Sequence, residues 1–153
     1  MKLYCMRHGE AENPGINPER PLTANGKAEL KRLAEHLKKN HIRFPTMVHS
    51  PRLRARQTAE ALAELVDHDR IMESHCGLDQ TCYLGEAMEL IEETNEDLLI
   101  VAHMPFIAEL VCKLTTDQTK YPLLQFLPGT IVCLEPMIKP FWHINWVLHA
   151  SVV

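Results

Sequence analysis

Nothing in the 153-residue chain approaches eighteen apolar residues in a row, so no membrane-spanning helix is expected. The first apolar run stops after four or five residues at Arg7 and His8, too soon for the core of a secretion signal. No C-x-x-C pair occurs among Cys5, Cys76, Cys82, Cys112 and Cys133, and their odd number and scatter suggest neither a disulfide framework nor a zinc knuckle. The expected setting is therefore a reducing cytoplasm. An excess of positive charge is missing as well: sixteen Lys and Arg against twenty Asp and Glu leave a net charge of -4. That balance offers no broad footprint for nucleic acid or an anionic membrane, so any anion must be held locally. Repeats, low-complexity tracts and Gly/Ser linkers are lacking, and none of the nine histidines falls at the H-x-x-x-H spacing typical of metal-ligand pairs.

What is present reads as a globular protein. The 46% hydrophobic and 24% charged residues are ordinary proportions, and 153 residues suit one domain spanning 1–153. Residues 2–6 form a short apolar strand pattern, followed by a polar loop with Pro14, Gly15, Pro18 and Pro21. Thr23 is placed to cap a helix ending near Asn40, whose Leu30, Leu33, Ala34 and Leu37 recur at i, i+3, i+4, i+7. A second strand at 46–49 leads into Ser50 and Pro51, expected as N-cap and first residue of a helix reaching about Val66. A short strand at 71–74, a helix at 85–93 and a continuous apolar strand at 97–102 follow. Pro105 then opens a helix with Ile107, Leu110, Val111 and Leu114 on one stripe, and strands at 130–134 and 141–147 close the chain as a hairpin.

Strand and helix in alternation predict a three-layer α/β/α fold with a mostly parallel central sheet and an antiparallel edge. Such sheets bind ligands outside the carboxyl ends of their strands. Three of those ends carry polar residues: the first delivers Arg7-His8-Gly9, the second Ser50 and a helix start rich in arginine, and the strand at 97–102 delivers His103. Gly9 is expected to let a bulky anion approach the backbone. Arg52, Arg54 and Arg56 oppose the dipole of the helix they begin, a penalty that a bound anion would reverse. The plainer reading of Arg52 and Arg56 is a solvated basic face, and their role is open. A metal site assembled from His8 and His103 with Asp79 or Cys76 is the alternative chemistry, but Arg7 beside His8 would repel a cation. Neither a metal nor a cofactor is expected.

The segments Arg7-His8-Gly9-Glu10, Leu22-Thr23-Ala24-Asn25-Gly26, Ser50-Pro51-Arg52-Leu53-Arg54-Ala55-Arg56-Gln57-Thr58-Ala59 and Ala102-His103-Met104-Pro105 occur in that order over residues 2 to about 115. In content and order the chain resembles the histidine phosphatase superfamily, whose fold is phosphoglycerate mutase-like. Its short length and the stretch Arg20-Pro21-Leu22-Thr23 are similar to the small SixA-type phosphohistidine phosphatases. The resemblance implies a phosphatase that works through a covalent phosphohistidine on His8. It further implies that Arg7 and Arg54 clamp the phosphoryl group and that His103 is the second pocket histidine. Arg20 then stands beside the pocket, although pairing with Glu19 or Glu12 would look the same in sequence. Gly9, Arg20 and Ser50 are the expected substrate-binding residues.

A neutral imidazole is a capable nucleophile, and guanidinium forks meet charge spread over phosphoryl oxygens with directional donors. His103 is expected as an imidazolium or an N–H donor. The implied partner is a phosphorylated histidine-containing phosphotransfer protein, in a signal-transduction setting. Two other readings stand beside it: a small-molecule phosphomonoesterase or mutase of the same superfamily, and a non-catalytic phosphohistidine-binding module. Of possible general acids only Asp79 and Glu86 lie in the right region, and neither sits in a recognisable motif. Met104 replaces a polar residue common in the superfamily.

Overall fold

In the computed structural model, which describes residues 1–79, 82–120 and 123–153, strands and helices alternate along most of the chain. The order is β1 (Leu3–Arg7), α1 (Ala24–Lys39), β2 (Phe44–His49), α2 (Leu53–Ala63), β3 (His68–Glu73), α3 (Leu84–Glu93), β4 (Leu98–Ala102), α4 (Phe106–Thr116), β5 (Thr130–Pro136) and β6 (Trp142–His149). The six strands form one sheet in the order β3-β2-β4-β1-β5-β6. β3, β2, β4 and β1 run parallel, whereas β5 is antiparallel to β1 and β6 to β5, as expected of a hairpin edge.

Alternation along the strands divides the core in two. Tyr4, Met6, Met47, Leu99 and Val101 pack under α1 and α2, while Leu3, Cys5, Val48, Leu98, Ile100 and Ala102 pack under α3 and α4. Because β1 and β4 are covered on both faces, β4 is apolar throughout and β1 is apolar up to Arg7 at its carboxyl end, the pattern of a buried parallel strand. The expected stripe of α1 is buried at Leu30, Leu33, Ala34 and Leu37, and the Thr23 hydroxyl caps the helix by accepting from Gly26 N at 2.9 Å.

Three local expectations differ from the structure. α2 begins later than predicted, with Arg52 as its N-cap and Pro51 ahead of the helix, and it ends at Ala63. The Ser50 hydroxyl is turned toward the His103 ring and accepts only weakly, at 3.3 Å, from Arg52 N. β3 starts at His68 rather than residue 71; it is an edge strand, largely exposed, so its ends carry no hydrophobic signal and are set by backbone pairing with β2. Cys76 and Cys82 are joined by a disulfide with Cα atoms 5.4 Å apart, against the expectation that no cysteines pair. The turn between β3 and α3 brings them together, which spacing alone does not foretell. Cys5, Cys112 and Cys133 are free and buried. Among the described residues, no helix is long and apolar enough to cross a membrane.

Candidate active site

The carboxyl ends of β1 and β4 are adjacent, with Arg7 in register with Ala102, so the residues that follow them meet. His8 N donates to Ala102 O at 3.1 Å, and Gly129 N donates to His8 O at 2.9 Å, which pins the His8 backbone between β4 and the chain entering β5. The His8 ring then turns back on its own main chain: Nδ1 lies 2.7 Å from Gly9 O. A carbonyl only accepts, so Nδ1 carries the proton and Nε2 presents its lone pair. Arg54 Nε donates to that Nε2 at 3.2 Å.

His103 leaves β4 beside it, with ring centroids 5.2 Å apart and planes tilted by 51°. Its Nε2 is 2.6 Å from Ser50 Oγ, while its buried Nδ1 has no partner among the described residues. Both histidines are buried, and both have lowered pKa values. His8 is pushed down to about 3, chiefly by burial and further by His103, Arg54 and Arg7, against the raising effect of the Gly9 carbonyl. His103 is pushed down to about 4, chiefly by burial and then by Arg54 and Arg52, with Asp79 opposing. A pKa lowered to about 4 favours neutral His103 at neutral pH, which fits an N–H donor better than an imidazolium.

Arg54 leaves the first turn of α2 and is buried; burial first, then Arg20 and Arg52, lower its pKa to about 10, so it keeps its charge at neutral pH. Arg7 Nη1 donates to Phe126 O at 2.7 Å, and its buried Nε has no partner among the described residues. Burial and then Arg20 lower the Arg7 pKa. Arg20 adopts a left-handed φ of 51° and donates from Nε to Glu12 O at 3.0 Å, rather than pairing with the Glu12 or Glu19 carboxylates as the alternative reading had it. Arg20 thus disfavours the charge of both Arg7 and Arg54, and Arg7 that of Arg54, in a partly buried crevice. An anion bound among them would relieve that repulsion.

Two expected substrate contacts are corrected. A Cβ on Gly9 would lie 2.8 Å from Leu30 Cδ1, so this glycine makes room for α1, not for an anion. Both of its backbone polar groups are also engaged, O by His8 and N by the Thr58 hydroxyl at 2.9 Å. Ser50 is fully buried, and its hydroxyl faces His103, so it can reach a ligand only through that ring.

Asp79 is buried, forms an ion pair with the half-exposed Arg52, and acts electrostatically on Arg54 and His103. Arg56 lies 3.8 Å from Glu60 in an exposed i,i+4 pair, the solvated face that the plainer reading supposes. Glu86 is exposed and lines a cleft of about 230 Å³ with Ser74, Glu89 and Glu93, to whose lining neither His8 nor His103 belongs. Among the described residues, Cys76, Cys82 and Glu86 are the group of three metal-ligand types within 4.8 Å; it includes neither histidine, and its two sulfurs are bonded to each other.

Two contacts were not legible beforehand. The Phe126 carbonyl comes from beyond the motif-bearing residues, carried in because β5 runs against β1. Gln57 Oε1 accepts from Leu22 N at 2.8 Å, tying α2 to the loop of Arg20; its place in the Arg54-to-Ala59 segment was the available signal.

Comparison with known proteins gives the family and the fold. The sequence pattern of the histidine phosphatase superfamily (branch 1) matches residues 3–83. The chain is 30% identical over 125 residues to phosphohistidine phosphatase SixA of Escherichia coli K12, covering 78% of this chain and 77% of that one. It is 34% identical over 132 residues to an uncharacterised protein of a Picosynechococcus species, covering 80% and 78%. The structure of a protein histidine phosphatase SixA complexed with tungstate superposes with a TM-score of 0.85 at 27% identity, over 99% of this chain and 98% of that one. A phosphoserine phosphatase of Entamoeba histolytica, complexed with 3-phosphoglyceric acid, shares the fold at a TM-score of 0.72 and 17% identity, over 95% of both chains.

Proposed function

The chain belongs to the histidine phosphatase superfamily, and on that premise we propose that it is a metal-independent phosphohistidine phosphatase with His8 as nucleophile and a histidine-containing phosphotransfer protein as substrate. The whole of 1–153 acts as one domain in this reading. The observation that carries it is the His8 ring: Nδ1 fixed on Gly9 O at 2.7 Å, and a neutral Nε2 directed at Arg54.

When a phosphoryl group enters, the Arg54 donors pass from His8 Nε2 to phosphoryl oxygens, which uncovers the lone pair for attack. Nε2 bonds to phosphorus as the substrate P–N bond breaks, and the electron pair of that bond leaves with the substrate ring, which carries a proton from water on its other nitrogen and so departs as neutral imidazole, while the neutral His103 contributes an N–H hydrogen bond. Water then attacks the phosphorylated His8, releasing inorganic phosphate and restoring the ring. Arg7, Arg20 and Arg54 supply the positive charge that a metal ion would otherwise bring. Ser50 acts through His103, by holding its ring.

Substrate class turns on the proton. An ester expels an alkoxide, which needs a positioned acid, whereas phosphohistidine expels the far less basic imidazole. Asp79 is engaged in an ion pair with Arg52, which service as a general acid would have to break. The site therefore suits P–N better than P–O cleavage. A cytoplasmic setting is part of this proposal, with the Cys76–Cys82 disulfide as the observation that speaks against it.

The test compares kcat/KM on a phosphohistidine carrier protein with that on phosphoserine peptides and sugar phosphates, with and without EDTA. A preference of at least about 10²-fold for phosphohistidine is expected, the usual contribution of a missing general acid. Chelation should change nothing. Equal rates on both classes, with a large loss for Asp79→Asn, would instead favour a phosphomonoesterase; activity lost to EDTA and regained with metal would restore the metal reading.

A further inference from the structure

Thr58 has no part in the chemistry above, yet it is fully buried and joins the two halves of the site. It lies one helical turn after Arg54, and its hydroxyl donates to Arg54 O at 2.7 Å. That bond is ordinary for a threonine within a helix. The second bond is not: the same oxygen accepts from Gly9 N at 2.9 Å, across 49 positions of sequence. A hydroxyl has one proton, and the Arg54 carbonyl takes it, so the lone pair that meets Gly9 has no alternative polarity.

These contacts close a circuit. Arg54 Nε donates to His8 Nε2, His8 Nδ1 donates to Gly9 O, Gly9 N donates to Thr58 Oγ1, and Thr58 donates to Arg54 O. Gly9 contributes both polar groups, one from each of the peptide units that flank its α-carbon, so the hydroxyl anchors the unit before that carbon and restrains the carbonyl after it through the φ and ψ of Gly9, a residue with no side chain to hold those angles itself. That carbonyl decides which ring nitrogen of His8 carries the proton. Leu30, packed where a Gly9 side chain would stand, holds this segment sterically from the other side but exerts no directional preference.

We infer that Thr58 is a positioning residue which, through Gly9, holds His8 in the tautomer that leaves Nε2 as the nucleophile and keeps that nitrogen in register with Arg54. The inference rests on the reading of His8 as nucleophile. Thr58 stays beneath the site and never touches substrate; its effect belongs in the rate of phosphoryl transfer, not in substrate binding.

The experiment compares Thr58→Val, which keeps the shape and loses the hydroxyl, with Thr58→Ser, which keeps the hydroxyl and loses the methyl. Two readouts are needed: single-turnover transfer from a phosphohistidine carrier protein to His8, and the tautomer of His8 from ring ¹⁵N shifts. Thr58→Val should slow transfer by roughly 10²-fold with KM nearly unchanged, since small misplacements of reacting atoms have effects of that order. It should also populate the tautomer protonated at Nε2. Thr58→Ser should restore both to near wild-type values. If the valine variant does not fold, Thr58→Ala against Thr58→Ser makes the same comparison. Transfer rates and tautomers that do not distinguish the hydroxyl-bearing variant from the others would overturn the inference while leaving the nucleophile in place. A wild-type protein that forms no phosphoenzyme would remove the nucleophile, and this role of Thr58 with it.

Discussion

The ends of β1 and β4 each present a buried histidine to the same crevice, yet the chain holds the two rings by different means. His8 is tied to main chain on one nitrogen and to Arg54 on the other. His103 is tied on one nitrogen to a serine hydroxyl, and its other nitrogen is unpartnered among the described residues. A carbonyl can only accept, so the state of His8 is fixed. A hydroxyl can donate or accept, so His103 can hold its proton on either nitrogen. Fixed protonation suits a nucleophile, which must present the same lone pair each time; adjustable protonation suits a residue that contributes an N–H hydrogen bond to the reacting groups. Burial lowers both pKa values, to about 3 and about 4, so it is the partners, not the depth, that separate the two roles proposed for them.

Exchanging the rings one at a time tests that division most severely. His8→Asn is expected to abolish the phosphoenzyme and reduce kcat/KM by at least about 10⁴-fold, as removal of a nucleophile does. His103→Asn is expected to reduce it by about 10²- to 10³-fold while still forming acid-labile, alkali-stable phosphate on His8. Phosphoenzyme that survives at His8→Asn and disappears at His103→Asn would reverse the assignment.

A smaller effect separates the rings by their cation. Arg54 donates to His8 and to no atom of His103 among the described contacts. Arg54→Lys should weaken transition-state stabilisation by about 2 kcal/mol, near 30-fold in kcat/KM, because an ammonium cannot reproduce two parallel donors. An unchanged kcat/KM would place Arg54 outside the chemistry.

The smallest effect is on stability. Both imidazoles titrate below the ordinary value of 6.5, so from there down to about 3 or 4 the unfolded chain binds more protons than the native one. Their contribution to stability is complete above that ordinary value and is lost as pH falls toward the lowered values. Tm should therefore fall between about pH 7 and about pH 4.5. His8→Asn should flatten this slope down to a lower pH than His103→Asn, because the His8 shift is the larger. The acid limb of kcat/KM should likewise lie below about pH 5, since neutral His8 persists there; a limb centred on the ordinary histidine value would show that the rings are not desolvated as described.

Much of this was legible in the sequence because it is local. Helical periodicity marked α1 and α4, uninterrupted apolar runs marked β1 and β4, and the ordered motifs marked His8, Arg54 and His103. Each signal lies within a few residues of what it specifies. β3 was placed too late because an exposed edge strand has no buried face to impose a pattern. Ser50 and Gly9 were placed at the substrate because a strand end states where a residue emerges, not which way its polar groups turn.

What the sequence determined by itself, then, is which residues leave the carboxyl ends of the strands, since those ends follow from hydrophobic patterning along short segments. Only the tertiary structure decided what those residues do to one another. The pairs His103 with Ser50, Gly9 with Thr58, and Arg7 with Phe126 are 53, 49 and 119 positions apart. They meet because β4 lies between β1 and β2, and because β5 reverses direction to bring its own beginning to the end of β1. Strand order and direction are fixed by packing the whole core at once, and no short stretch of chain contains that information.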